Sequence, residues 1–358
     1  MGNPDSSSAF IPARPIIKIA DREESELIDG LLTLLVVETT EGLYRCEAVF
    51  GNWGAAGNEV GFLYLDRELL DFGKTLAIEA GSGETAAQVF KGRIMGLEAL
   101  YPAERPPEIL VLAEDTLQDL RMTRRSRSFE DISDSDVIQQ IAAEYSMQTD
   151  LDIDGPTYRV LTQVNQSDLA FLRQRARAID AELWLEDNTL HVQARSRREA
   201  GEVTLTYPFG LKEFSVCADL ANQCTGLVVG GWDVSAKENI AYEAGASAIQ
   251  DELAGGQSGA AFLQNTLGER TERLVHLSPA NSSEAQYLAE AYFRAKARRF
   301  ITGSGFTIGD GRILAGTKLK LEGLGDMFNG KYYVTEVRHT FDGKNGYRTY
   351  FKVERPGL

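Results

Sequence analysis

Gly316 to Arg355 reads GTKLKLEGLGDMFNGKYYVTEVRHTFDGKNGYRTYFKVER. Leu319 and Leu321 alternate with Lys318, Lys320 and Glu322, the period of two expected of a half-buried strand. Tyr333-Val334-Thr335-Glu336-Val337 is rich in aromatic and β-branched residues, which suit a pleated surface. Gly323, Gly325 and Gly330 punctuate the turns. Asp342-Gly343 and Asn345-Gly346 are hairpin dipeptides, because Asn, Asp and Gly tolerate positive φ. Tyr347 to Val353 returns as a closing strand.

The pattern occurs once before. Gly73-Lys74-Thr75-Leu76-Ala77-Ile78-Glu79 aligns with Gly316 to Glu322, and Phe90-Lys91-Gly92-Arg93-Ile94 aligns with Phe328 to Tyr332. The alignment pairs the turn glycines Gly73 with Gly316 and Gly92 with Gly330. Each copy then runs through a polar turn into a closing strand, Ile109 to Leu112 or Tyr347 to Val353. Two such copies predict two related β-barrel or β-sandwich units in one chain.

At 358 residues and 43% hydrophobic content the chain has material for two or three cores. No apolar run approaches the roughly 20 residues that span a bilayer, and the start MGNPDSSSAF lacks the basic and apolar regions of a secretory signal. Met1-Gly2 followed by Ser6 matches a myristoylation pattern, which is read as an accident of a polar tail. A net charge of −16 argues against stable nucleic-acid binding. Cys46, Cys217 and Cys224 fit neither a disulfide framework nor a zinc site and are read as reduced.

The fold class read from the chain is mainly β with α+β insertions. Residues 1–13 form a flexible N-terminal arm and 14–113 the first β-barrel. Residues 114–128 are an Arg-rich connector in which Arg121, Arg124, Arg125 and Arg127 mark a candidate interface that meets carboxylates of another domain or subunit. Residues 129–200 form a small α/β domain. Ser133 and Asp136 make a capping box there, and Leu169, Leu172, Ala176 and Ile179 share one helix face. The second barrel is split, 201–236 holding its first part and 301–358 its completion. A helical insertion over 237–300 lies between, with Leu288, Tyr292 and Ala295 on the apolar face of its last helix.

No chemistry stands out. Asp150, Asp152 and Asp154 open like a calcium loop, but its twelfth position is Leu161. His191, His276 and His339 are too far apart in sequence for a metal-spaced pair. No nucleophile elbow or Walker loop is present. No catalytic, cofactor or metal residue is therefore assigned, and the chain is expected not to be an enzyme.

Three segments together resemble the late control D family of phage tail proteins, the hub proteins of contractile tails, related to the N-terminal hub part of VgrG. They are the terminal Gly330-Lys331-Tyr332-Tyr333-Val334-Thr335-Glu336-Val337-Arg338-His339 with its closing aromatic strand to Arg355, the segment Asn165-Gln166-Ser167-Asp168 with Phe171-Leu172, and Gly231-Trp232-Asp233 with Lys237. The resemblance implies that the two barrels are tail-tube-like. It implies a structural baseplate hub made in the bacterial cytoplasm: a homotrimeric ring that adapts the hexameric tail tube to a trimeric spike, in a phage-tail-like particle. The partners so implied are the tail tube protein, the spike protein and other baseplate proteins, with no cofactor and no membrane anchor. The alternative is a tail-associated peptidoglycan hydrolase, which needs a cleft with a carboxyl of raised pKa.

Overall fold

The computed structural model describes residues 14–358 apart from 57–58, 82, 235 and 254. The expected arm over 1–13 and the myristoylation pattern lie outside the described residues. The first unit contains β1 (Ile16–Ile19), β2 (Leu31–Thr39), β3 (Arg45–Gly51), β4 (Thr75–Ala80), β5 (Ala87–Leu100) and β6 (Glu108–Glu114). An α/β unit follows with β7 (Arg124–Ser133), α1 (Asp134–Glu144), β8 (Gln148–Asp152), β9 (Thr157–Ser167), α2 (Asp168–Ala178), β10 (Ala181–Glu186) and β11 (Thr189–Ala194). Then come β12 (Glu202–Thr206) and β13 (Leu211–Ala218), and an insertion with β14 (Gly226–Asp233), β15 (Glu238–Gly245), α3 (Gly259–Leu267), β16 (Thr271–Leu274) and α4 (Ser282–Ala297). The chain ends with β17 (Ile301–Ile308), β18 (Lys318–Glu322), β19 (Gly330–Asp342) and β20 (Gly346–Arg355).

One 13-stranded sheet holds the first unit and the last one together, in the order β13-β17-β20-β19-β2-β3-β6-β5-β4-β1, with Arg22–Glu23 beyond β1 and β18 and β12 branching from β19. Its two halves follow one plan. The first runs β1-β4-β5-β6-β3-β2 and the second β12-β18-β19-β20-β17-β13. Bulges fall at matching places. The β5–β6 ladder shifts between Ile94 and Gly96, and β19–β20 between Val334 and Glu336. The β2–β3 ladder shifts between Leu31 and Thr33, and β13–β17 between Leu211 and Glu213. A bulge adds one residue and bends its strand, so both halves curve at the same steps. The halves differ toward one edge: the β4–β5 ladder shifts between Ile78 and Glu79 where β18–β19 does not, and β1 meets β4 antiparallel whereas β12 meets β18 in parallel.

Each half fills its own core. Ile17, Leu34, Val36, Phe50, Ile78, Ile94 and Val111 pack in the first, and Leu211, Ile301, Leu319, Leu321, Val334 and Phe351 in the second. Hydrogen bonding does not separate the halves. Along the edge of β19 that β18 uses up to Tyr333, β2 takes over from Glu336 to Asp342. The two halves are thus one continuous sheet rather than two self-contained units.

Gly73 and Gly316 take equivalent backbone roles. The Gly73 N–H donates to Ile94 O (2.8 Å) and the Ile94 N–H to Lys74 O (2.9 Å). The Gly316 N–H donates to Val334 O (2.8 Å) and the Val334 N–H to Thr317 O (3.0 Å). Both glycines have positive φ, +79° and +95°, where a side chain is strained. The other glycine pairing needs correction. Leu76 faces Gly92 while its counterpart Leu319 faces Tyr332, and Gly330 corresponds to Phe90. The Phe-x-Gly alignment is therefore two residues out. A slip of two keeps every side chain on its face, so alternation alone could not detect it.

The α/β unit pairs β7 with β9 antiparallel, and sets α1 and α2 over a separate sheet β8-β11-β10. Ser133 and Asp136 form the reciprocal capping box at α1, which satisfies two free backbone donors. The insertion is α+β rather than helical. Its central strand β14, which includes the Gly231-Trp232-Asp233 segment, pairs with β15 and β16 and not with the main sheet. The boundary expected at 236 thus falls instead just after β13. The buried stripe of α4 is Ala285, Ala289, Phe293 and Ala297, while Tyr292 and Ala295 are exposed. The small side chains let α4 lie close to β14 and β15, a signal that weighting by large apolar residues overlooks.

Candidate functional site

The second half of the main sheet has a polar face opposite its core. On β19 the buried Val337, His339 and Phe341 alternate with Glu336, Arg338 and Thr340. Glu336 there accepts from Arg338 at 2.6 Å and from Lys352 of β20 at 2.7 Å. Thr302 and Ser304 of β17 and Ser215 and Cys217 of β13 continue this outward face. Exposed pairs of this kind contribute little to stability. Their significance is that the outward face of the second half is polar from β19 and β20 to β17 and β13, whereas in the first half Leu35, Val49, Leu110 and Leu112 take outward positions.

A buried polar junction lies where both halves meet the α/β unit. Glu38, near the end of β2, is 5% exposed and accepts the Ala315 N–H at 2.9 Å. Asp115, 3% exposed, accepts the Tyr44 N–H at 2.6 Å and the Leu117 N–H at 2.9 Å. Arg198 donates to Glu182 at 2.9 Å and to Ala315 O at 2.7 Å, with its guanidinium 4.0 Å from the Trp184 ring centroid. The Tyr333 hydroxyl donates to the same Glu182 carboxylate at 2.5 Å. Glu38, Asp115, Arg198, Trp184 and Ala315 border a cavity of about 440 Å³. Burial pushes the Glu38 carboxyl up to about 7 against the opposing pull of the Ala315 N–H and Arg198. Burial likewise raises Asp115 to about 7, against the Tyr44 and Leu117 N–H donors.

The sign of the resulting pH dependence is determinate. Both carboxyls hold a proton more tightly folded than unfolded, so their contribution is complete below the unfolded values of 4.5 and 3.8 and is lost as pH rises through about 7. His339 works the other way, since burial lowers it from 6.5 to about 3, so its contribution fades as pH falls below 6.5. Between pH 6.5 and 8 the carboxyls act without that opposition. Denaturant titrations there should show stability falling, at a limiting rate of about 1.4 kcal/mol per pH unit for each carboxyl still protonated. Glu38→Gln should flatten the decline, and an unchanged slope in that variant would remove Glu38 as its source.

The four arginines do not form one free patch. Arg125 and Arg127 both bond Glu144 and converge on Asp168, at 3.3 and 2.8 Å, inside the α/β unit. Asp168 is fully buried and also takes the Tyr145 hydroxyl and the Gln163 amide. For these two, the partner carboxylates therefore belong to their own unit. Arg121 pairs with Glu114 at 2.5 Å, and Arg124 donates to Asn165 O at 3.1 Å. Of the would-be calcium loop, Asp152 and Asp154 are taken by Arg197 and Asp150 faces His191. Among the described residues no three His, Cys, Asp or Glu gather as a metal-holding group, and no helix is long and apolar enough to cross a membrane. The junction groups Glu38, Asp115 and Arg198 were not singled out from sequence. A lone acid inside the apolar run LLTLLVVET was the available signal for Glu38.

Solved structures share this fold over nearly the whole chain. The 43 kDa tail protein of prophage MuSo2 from Shewanella oneidensis is 11% identical with a TM-score of 0.71, over 96% of this chain and 98% of that one. A tail protein from Neisseria meningitidis MC58 is 12% identical with a TM-score of 0.67, over 96% of each chain. The E. coli c3393 protein, described as a component of the type VI secretion system with structural similarity to the T4 phage tail proteins gp27 and gp5, is 12% identical with a TM-score of 0.57. That match covers 91% of this chain and 73% of the other. The architecture is thus a mainly β tail-protein fold. No curated protein matches the sequence. The family model described as Alg8 N-terminal domain matches residues 58–342, and the chain belongs to that family.

Proposed function

We propose that this protein is the structural hub of a contractile tail or contractile injection system, of the late control D type, acting as a homotrimeric ring between a hexameric tube and a trimeric spike. The observation that carries the reading is the duplicated half-sheet, with matching strand order and matching bulges in one chain. Three such chains present six similar units, which reconciles threefold with sixfold symmetry. The two halves are then tube-like barrels joined edge to edge through β2 and β19, and the outward face of their shared sheet lines the ring. Function lies in interface area and register, and an obligate ring of this kind buries on the order of 2,000 Å² per interface or more. Arg121 and Arg124, on the exposed side of the connector, serve as contacts to neighbouring chains or other baseplate proteins.

The native mass of the purified chain tests this, alone and with the trimeric spike protein of its particle. Three chains of 39.4 kDa give a species of about 118 kDa. A trimer that forms only with the spike means that the spike templates the ring. A monomer under both conditions overturns the reading.

The hydrolase alternative draws on Glu38 and Asp115, whose raised pKa values suit a general acid. We favour the structural role, because each carboxylate already accepts backbone N–H groups in a buried joint. Peptidoglycan turnover by the purified protein, abolished by Glu38→Gln, would reverse that preference.

A further inference from the structure

The joint between the two halves inside the chain is itself a template. In β19, one edge carries β18 as far as Tyr333 and β2 from Glu336 onward, while β20 holds the other edge. In β5, one edge carries β4 as far as Arg93 and β6 holds the other through Leu100. The stretch of β5 from Gly96 to Leu100 that corresponds to the β2-binding part of β19 has no strand beside it among the described residues. The counterpart of β2 in the second half is β13, whose outer edge is also unpaired. Each copy therefore carries one empty socket and one unused strand, of the same two kinds that are mated within the chain.

The side chains around them fit this reading. At the internal joint Phe341 of β19 lies opposite Leu34 and is 3% exposed, packed into the first core. Tyr101, at the equivalent place just after β5, is 63% exposed, and Phe214, the equivalent of Leu34, is half-buried. Tyr101 meets Phe62 edge-on, and Phe62 meets Trp53, so three exposed aromatics rim the socket. An exposed apolar cluster next to an unpaired strand edge marks a place where another chain adds.

We propose that the Gly96–Leu100 edge of β5 in one copy of this chain receives β13 of the next copy, antiparallel, with Leu97 opposite Ala218, Glu98 opposite Cys217 and Leu100 opposite Ser215. The register is carried over from the internal joint, where Val337 faces Glu38, Arg338 faces Val37 and Thr340 faces Leu35. The bulges at matching places align the two sets residue by residue. The pairing is heterologous, so it generates a ring when it closes. It deepens the ring reading above and rests on it.

Cys217 supplies the probe. It is exposed and free, while Cys46 and Cys224 are buried. Directly opposed residues on paired strands lie within disulfide reach, and residues two positions off are about 7 Å or more apart and beyond it. Oxidised Glu98→Cys protein should therefore yield a covalent three-chain species. The double variant Val37→Cys/Arg338→Cys, which places the same pair within one chain, provides the reference yield. The species should vanish in Glu98→Cys/Cys217→Ser and fall about tenfold when the new cysteine is placed at Leu100 instead. Equal yields at 98 and 100 overturn the register. A native-mass trimer whose Glu98→Cys form cross-links neither on oxidation nor with a short bismaleimide overturns the strand pairing and leaves the ring reading standing. A monomer alone and with the spike overturns both.

Discussion

Replacing Arg298 with alanine is expected to destabilise the protein by about 3–5 kcal/mol, the cost of stranding buried charges. Arg298 follows the last turn of α4 and is 2% exposed. Its guanidinium bonds both Asp180 oxygens of the α/β unit, at 2.7 Å for one, and Glu252 of the insertion at 2.6 and 2.9 Å. One side chain thus neutralises two carboxylates from different parts of the chain. Alanine would leave those acids with only the more distant Arg294, 3.8 Å from Asp180. Lysine restores a charge but not the planar fork, so Arg298→Lys should recover only part of the loss. Denaturant midpoints at pH 7 and pH 4 provide the check, because protonating the stranded acids should shrink the deficit at pH 4. A loss below about 1 kcal/mol at pH 7 would place the residue among pairs that contribute little.

Gly309→Ala should cost about 2–5 kcal/mol, combining an overpacking term with a lost buried hydrogen bond. A Cβ at this position would lie 1.8 Å from Tyr347 Cδ1, so the ring must move. Tyr347 is 5% exposed, and its hydroxyl lies 2.7 Å from Nδ1 of the fully buried His339. Displacing the ring breaks that contact and leaves the imidazole with Thr349 Oγ1 at 3.3 Å. Gly343 is the control, since a Cβ there meets nothing within 4 Å and its φ is not positive. Gly343→Ala should stay within about 0.5 kcal/mol of the parent. Equal stability of the two variants in urea melts would show that the core near Tyr347 yields without cost.

Much of the architecture was legible because strand alternation and turn glycines are local signals. Gly73 and Gly316 recur at the same distance before Leu76 and Leu319, and the ladders place them alike. Helix starts were legible for the same reason, since Ser133 and Asp136 act on their own backbone. What stayed hidden depends on partners far apart in sequence. Nothing near β2 announces that its edge mates with β19 some 300 residues later. The arginine run read as an interface to another domain or subunit because Asp168, which holds Arg125 and Arg127, lies about 40 residues away. The stripe of alanines on α4 was hidden because close approach, not side-chain size, makes it a core.

The insertion between β13 and β17 is entered and left at one step of a ladder. Ala218 pairs with Ile301, and the Asp219 N–H donates to Phe300 O at 2.9 Å. In the first half the same step is bridged by the short turn between Thr39 and Arg45. The main sheet therefore does not register how much chain is spliced in there, and lengthening the connection from about 5 to about 80 residues adds only about 2.4 kcal/mol of closure cost. The splice point behaves as an interchangeable fitting. An accessory module of different shape can be carried at that position while the two half-sheets keep their register, and its anchoring then depends on contacts such as Arg298 with Asp180.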